Sequence, residues 1–207
     1  MATRPANSAR MSSEKRREQL LDATKAIANR SGFHAVSIEA VAREAGITRP
    51  VVYGHFRDLG GLLEALVKRE SARALGQLAE VLPTDLAGGD PRELLLAGLR
   101  GYLQVAQADP ATWRLVLMPP EGAPDVLREQ IARGREAVVA QLAEVVRPGL
   151  GPGRESPDPE LTAMAFSSLS DDAARLVLTQ PGRFPPERIL AHASWLLEQL
   201  LAPADAR

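Results

Sequence analysis

The sequence predicts an all-α fold, with an N-terminal three-helix domain carrying a helix-turn-helix and a larger C-terminal helical bundle. Three observations predict it. Apolar residues recur at three- and four-residue spacing through most of the chain, and no stretch alternates as a strand would. Asp90-Pro91 and Asp109-Pro110 are helix starts in which a capping side chain is followed by a proline. The stretch from Ser37 to Phe56, SIEAVAREAGITRPVVYGHF, reads as two short helices meeting at a glycine.

Taken in order, residues 1–11 are small, polar and basic without apolar period, and read as a disordered arm. A first helix starts at Ser12 or Ser13, either of which can cap it, and ends near Gly32. Leu20, Leu21, Thr24, Ile27 and Ala28 form its inward stripe. Lys15, Arg16 and Arg17 at its start are placed either for phosphates or as an ordinary solvated charge run.

Ser37 can cap the next helix, and Glu39 falls in its first turn, where a negative charge meets the positive helix end. Ile38, Val41, Ala42 and Ala45 give this helix one apolar face. Gly46 supplies the left-handed backbone that lets the chain turn. Thr48 can cap the second helix, and Pro50 sits in its first turn, where a missing N–H costs little. Val52 and Phe56 point inward, which leaves Arg49, Val51, Tyr53 and His55 on the free side beside the small Gly54. A helix-turn-helix needs this arrangement, its second helix keeping its early residues free for a groove.

Asp58 can cap a long helix from about Gly60 to Leu82, carrying Leu62, Leu63, Leu66, Val67, Ala74, Leu75, Leu78 and Val81. Two glycines at its start, Gly60 and Gly61, weaken it by roughly 1 kcal/mol each, so its first turn is soft; it is the place for a hinge, or the two glycines are simply tolerated at a helix start. After a loop at 83–90 the helix at Asp90-Pro91 shows a broad apolar face of Leu94, Leu95, Leu99, Tyr102, Leu103 and Ala106. A shorter helix, ATWRLVLM, follows Asp109-Pro110, and Pro119-Pro120 end it. A long helix from about Pro124 to Val146 carries Leu127, Ile131, Val138, Leu142 and Val145, and a proline- and glycine-rich loop follows from Pro148. The last two helices run from about Pro159 to Thr179 and from Pro186 to Leu201, which makes about nine in all. In the last, Ile189, Ala193, Leu196, Leu197 and Leu200 form one stripe and Trp195 points nearly opposite, so that helix needs two partners. The expected domains are residues 1–11, 12–59 and 60–207.

Composition narrows the function. The chain of 207 residues has no cysteine, hence no disulfide framework and no thiolate chemistry. No segment is apolar for long enough to span a bilayer, and the start lacks a secretory hydrophobic stretch; a cytoplasmic protein is expected. Net charge is −1, yet residues 1–57 hold ten Lys and Arg against five Asp and Glu, +5, leaving −6 for the remainder. The basic part coincides with the helix-turn-helix, as phosphate binding requires. His34, His55 and His192 are far apart and none begins a His-x-x-x-His pair; there is no nucleophile elbow and no phosphate-cradling glycine motif. No enzyme, metal or cofactor is expected.

Leu20-Leu21, Gly32-Phe33, Ser37-Ile38, the turn Ala45-Gly46-Ile47-Thr48 and Val52-Tyr53-Gly54-His55-Phe56 together resemble the amino-terminal DNA-binding region of the tetracycline-repressor-like (TetR) transcription regulators, over about Lys15 to Leu66. One departure stands out. Many members follow the Phe with Ser or Asn, Lys and Glu, the lysine holding a phosphate; here Asp58-Leu59-Gly60 stands instead, and Arg57 is the substitute cation.

The resemblance implies a bacterial, cytoplasmic, nucleoid-associated repressor. It would act as a homodimer through its last two helices and bind a near-palindromic double-stranded DNA operator. Arg49 is expected to read a base, because arginine can bond two acceptors of guanine, with Val51 against a thymine methyl. Ser37, Thr48, Tyr53, His55 and Arg57 are expected mainly on phosphates, with Pro50 beside them at the DNA surface. A small apolar or amphipathic effector is implied between the middle helices, lined by Leu99, Tyr102, Trp113, Leu117, Met118, Phe166, Asp172 and Arg175. Asp171 and Arg175, four apart, are expected to pair on the surface in preference to making a polar spot in that pocket. Two other classes remain open on the sequence: an architectural DNA binder without effector, and a helical interaction module in which Leu59 marks lost DNA binding.

Overall fold

The computed structural model describes residues 11–82, 90–119, 123–147 and 158–201, with side chains up to Gln199. The expected arm apart from Met11, the loop at 83–89 and the loop at 148–157 lie outside the described residues. Among the described residues there are nine α-helices and no strand. They are α1 (Ser13–Ser31), α2 (Ile38–Glu44), α3 (Arg49–Tyr53), α4 (Leu59–Val81), α5 (Pro91–Ala108), α6 (Pro110–Leu117), α7 (Asp125–Val146), α8 (Pro159–Thr179) and α9 (Pro186–Leu201). A 3-10 turn, Phe33–Ala35, follows α1.

Side-chain caps fix most of the starts. Ser12 accepts from the Lys15 amide, Asp58 from Gly61, Asp90 from Arg92, Asp109 from Thr112 and Asp158 from Leu161. Each satisfies an amide that the helix itself cannot.

The chain divides into two compact units. The first runs up to Val67 and takes in residues 123 and 124; the second comprises Lys68–Pro119 and the chain from Asp125 onward. In the first unit Leu20, Leu21, Ile27, Phe33, Val41, Val52, Phe56, Leu62 and Leu66 are buried together with Ile38 and Ala42. Thr24, on the inward stripe, is also buried, and it donates to the Leu20 carbonyl at 2.7 Å, so its hydroxyl is satisfied without leaving the core.

Among the described residues of the second unit two apolar clusters can be followed. One gathers Tyr102, Leu103, Ala106, Trp113, Leu117, Ala174, Val177 and Leu178; the other gathers Leu95, Ala143, Val145, Val146, Ala163 and Leu197. Tyr102 meets Trp113 edge to face at 5.0 Å between centroids. Where α5 passes α4, Gly101 leaves room for Val81: a Cβ on Gly101 would lie 2.8 Å from the Val81 Cβ and 2.9 Å from its carbonyl oxygen. Leu75, placed by spacing on the apolar face of α4, is 42% exposed.

Candidate nucleic-acid interface and ligand cavity

The turn between α2 and α3 is built by backbone geometry. Gly46 has φ 67°, and the Gly46 amide donates to Arg43 while that of Ile47 donates back to Ala42 at 2.9 Å. This pair of bonds satisfies the last carbonyls of α2 and needs a left-handed residue, which glycine adopts without strain. Gln19 on α1 donates to the Ala45 carbonyl at 3.0 Å and holds the turn from the other side. Arg17 donates to the His55 carbonyl at 3.2 Å and lies 4.4 Å over the Phe56 ring, so this member of the basic run binds α1 to the end of α3.

Ser37 caps α2, accepting from the Ala40 amide at 3.1 Å, and its own hydroxyl proton is not consumed by that bond. Thr48 stands at the cap position of α3 but makes no capping hydrogen bond, contrary to expectation. The reason is local. A capping hydroxyl accepts from the second or third helical amide; the second residue here is Pro50, which has none, and the third, Val51, donates to the Thr48 carbonyl at 3.0 Å.

On α3, Val52 is fully buried while Arg49, Val51, Tyr53 and Gly54 are exposed, with Tyr53 at 55%. His55 is half-buried, and Arg57 is exposed just beyond. Thus Arg49, Pro50, Val51, Tyr53 and Arg57 share an open surface. Arg49 is not idle there: its guanidinium donates to Glu39 at 2.8 Å, a bond that holds the Glu39 carboxyl below the usual carboxylate range. Arg30 of α1 and Glu44 at the end of α2 make an exposed bidentate pair.

In the second unit a cavity of about 1800 Å³ lies among α4 to α9. That exceeds the 300–1,000 Å³ of ordinary ligand sites. Its wall draws on both apolar clusters, Tyr102, Trp113 and Leu117 from one and Leu95, Val145 and Leu197 from the other. Leu99, Phe166, Asp172 and Arg175 are also on the wall; Met118 is not, and packs against the Tyr102 cluster instead.

The polar end of this cavity differs from the sequence expectation. Asp171 does not pair with Arg175 on the surface. It is buried, accepts from the Tyr102 hydroxyl at 2.8 Å and is ion-paired with Arg135 of α7. Arg175 pairs with the exposed Asp172 and donates from Nε to the Leu117 carbonyl at 3.0 Å. The side chains one turn apart on α8 diverge because Asp171 finds a buried donor on α5 and a cation on α7. Burial pushes the Tyr102 phenol well above its ordinary value, against the opposing pull of Arg175 and Arg135. Arg135 was not expected. Its signal was present, since it falls four after Ile131 and three before Val138 on the apolar stripe of α7. Ser71, also on the wall, has a buried hydroxyl with no partner among the described residues.

Among the described residues no group of three or more His, Asp or Glu side chains is placed to hold a metal ion, and no helix is long and apolar enough to cross a membrane.

Comparison with known proteins agrees with this geometry. Residues 20–66 match the family model described as bacterial regulatory proteins, tetR family. The chain is 33% identical over 135 residues to the HTH-type transcriptional regulator BetI of Yersinia pestis, covering 64% of this chain and 68% of that one. It is 32% identical, with the same coverage, to the regulator of that name from Serratia proteamaculans. The crystal structure of a TetR-like transcriptional regulator from Rhodococcus sp. RHA1 superposes with a TM-score of 0.73 at 23% identity, over 94% of this chain and all of that one.

Proposed function

Because this chain belongs to the TetR family of bacterial transcription regulators, we propose that it is a ligand-responsive repressor, released from its operator when a small apolar or amphipathic effector fills the cavity of the second unit. Residues 12–59 bind DNA and 60–207 hold the effector and form the dimer. The protein acts in the bacterial cytoplasm, on the nucleoid. Its relatives are named as transcriptional regulators.

The observation that carries the DNA-binding half is the exposed face of α3, with Arg49, Val51 and Tyr53 outward and Val52 fully buried. A homodimer presents two such helices to successive major grooves of a near-palindromic site. Arg49 leaves Glu39 to bond guanine, and Val51 meets a thymine methyl. Ser37, Thr48, Tyr53, His55 and Arg57 take phosphates, which fix register without specifying sequence. The uncapping hydroxyl of Thr48 supports its assignment.

Dimerisation through α8 and α9 is supported by the apolar side chains these helices leave exposed: Met164 and Trp195, with Leu161, Leu169 and Leu196, which also border the cavity. Trp195 stacks on His192 at 5.4 Å and is 52% exposed, a large apolar surface for one subunit to leave uncovered.

Ligand binding favours a dimer whose recognition helices are wrongly spaced for the grooves, and about 1 to 3 kcal/mol of coupling suffices. Leu59, Gly60 and Gly61, the first turn of α4, help to transmit it. The test is fluorescence anisotropy of labelled DNA from upstream of the protein's own gene, titrated with protein and then challenged with small amphiphiles. Release supports the reading; binding that every cavity-filling compound leaves unchanged contradicts it.

A further inference from the structure

We propose that the cavity of the second unit takes an anionic amphiphile, with its acidic head at the Tyr102, Asp171, Arg135 and Arg175 end and a long apolar tail lying between the two apolar clusters. This rests on the reading of the cavity as an effector site and names the chemistry of its ligand.

Among the described residues the wall carries Arg128, Arg135, Arg175 and Arg188 against two carboxylates, Asp171 and Asp172, and no lysine or glutamate; Arg128 is paired with Asp125 off the wall, so the excess is one cation, Arg188. A charge entering a mostly apolar cavity must be matched, because desolvation without a partner is costly. The imbalance therefore selects the sign of the head. A cationic head has little to meet: Asp171 is already neutralised by Arg135 and hydrogen-bonded by Tyr102, and Asp172 is paired with Arg175. An anion meets spare donors. A guanidinium has five N–H groups. Arg135 spends one on Asp171, Arg175 spends Nε and Nη1 on Leu117 and Asp172, and Arg188 donates from Nη1 to the Arg183 carbonyl. Arg135 meets the Tyr102 phenol through their shared partner Asp171, and Arg175 is near enough to act on that phenol electrostatically.

The tail follows from volume. Away from the arginines the wall is Leu95, Leu142, Val145 and Phe166, and the space exceeds what a compact polar effector fills. The two clusters do not merge, so an apolar chain between them completes a core the protein leaves divided.

The test uses full-length protein and calorimetric titration with four probes, each below its micelle concentration: dodecanoate, dodecyl phosphate, methyl dodecanoate and dodecyltrimethylammonium. The two anions are expected to bind about ten- to a hundredfold tighter than the neutral ester and the cation, the discrimination a charged hydrogen bond provides; which anion binds tighter separates a carboxylate head from a phosphate one. Arg175→Gln, whose partner Asp172 is exposed, leaves no buried charge behind and should lower dodecanoate affinity about tenfold with little change for the ester. Arg135→Lys, which keeps a cation beside Asp171, should retain part of the preference. Equal or tighter binding of the cation or the ester would overturn the proposal while leaving an effector site in place. Binding of none of the four would overturn both.

Discussion

The Arg49 guanidinium donates from Nη1 to Glu39 Oε1 at 2.8 Å, so the side chain proposed to read a base is held by a carboxylate of the preceding helix. Both side chains are more than half exposed, and such a pair is cheap to break. Glu39→Gln frees Arg49 and removes a negative charge from the DNA face. Affinity for operator and for unrelated DNA should both rise, by a few-fold, with a steeper salt dependence. A loss of operator affinity would instead make Glu39 a positioning partner of Arg49.

Arg49→Ala should cost about 1 to 3 kcal/mol of operator binding and relax preference at a single base position. Binding measured across a set of operators substituted one base pair at a time checks this; an equal loss on every sequence would put Arg49 on the backbone.

Gly60 and Gly61 open α4; a methyl on Gly61 would meet Asp58 Oδ1 at an ordinary 3.5 Å, whereas on Gly60 it would lie 3.3 Å from the same oxygen, so the capping carboxylate must shift slightly and part of the gain is lost. The double alanine variant should therefore fold, and be more stable by about 1 kcal/mol in sum. With a stiffer first turn, ligand-induced release should require several-fold more effector at unchanged ligand affinity. Unaltered release would remove this turn from the coupling.

Trp195→Glu places a charge on the exposed apolar face of α9. Sedimentation should show a shift toward monomer, and operator affinity should fall by more than tenfold because one recognition helix grips only half a site. A dimer unaffected by both Trp195→Glu and Met164→Glu would place the subunit contact elsewhere.

Two glycines make a paired stability test. At Gly101 an added Cβ strikes Val81, including its backbone oxygen, so Gly101→Ala should lower stability by about 1 to 3 kcal/mol. At Gly76, mid-helix in α4 with open space around it, the same change should raise stability by about 0.5 to 1 kcal/mol. Thermal melts of the two variants distinguish them directly.

What could be read from the sequence was what local chemistry dictates. The bounds of α8 and α9 follow from Asp158-Pro159, Pro186 and unbroken apolar spacing, and the left-handed Gly46 follows from the abrupt end of an apolar period. Thr48 misled because its missing capping bond depends on where the Val51 amide points, which residue type alone does not reveal. Asp171 misled for a different reason. Its i+4 neighbour Arg175 was visible, whereas its actual partners lie on α5 and α7, 69 and 36 residues away, and no local pattern announces such a meeting. The pairing of Arg49 with Glu39 crosses the turn and likewise needs the fold.

Specific DNA binding is the central property of this protein, and the most direct measurement of it is titration of the purified protein against DNA from upstream of its own gene and against unrelated DNA, each at two salt concentrations. The expected result is tighter binding to the upstream DNA, with a preference that survives higher salt because base contacts do not depend on counterion release. Equal, salt-sensitive binding to both, or no binding to either, would contradict it.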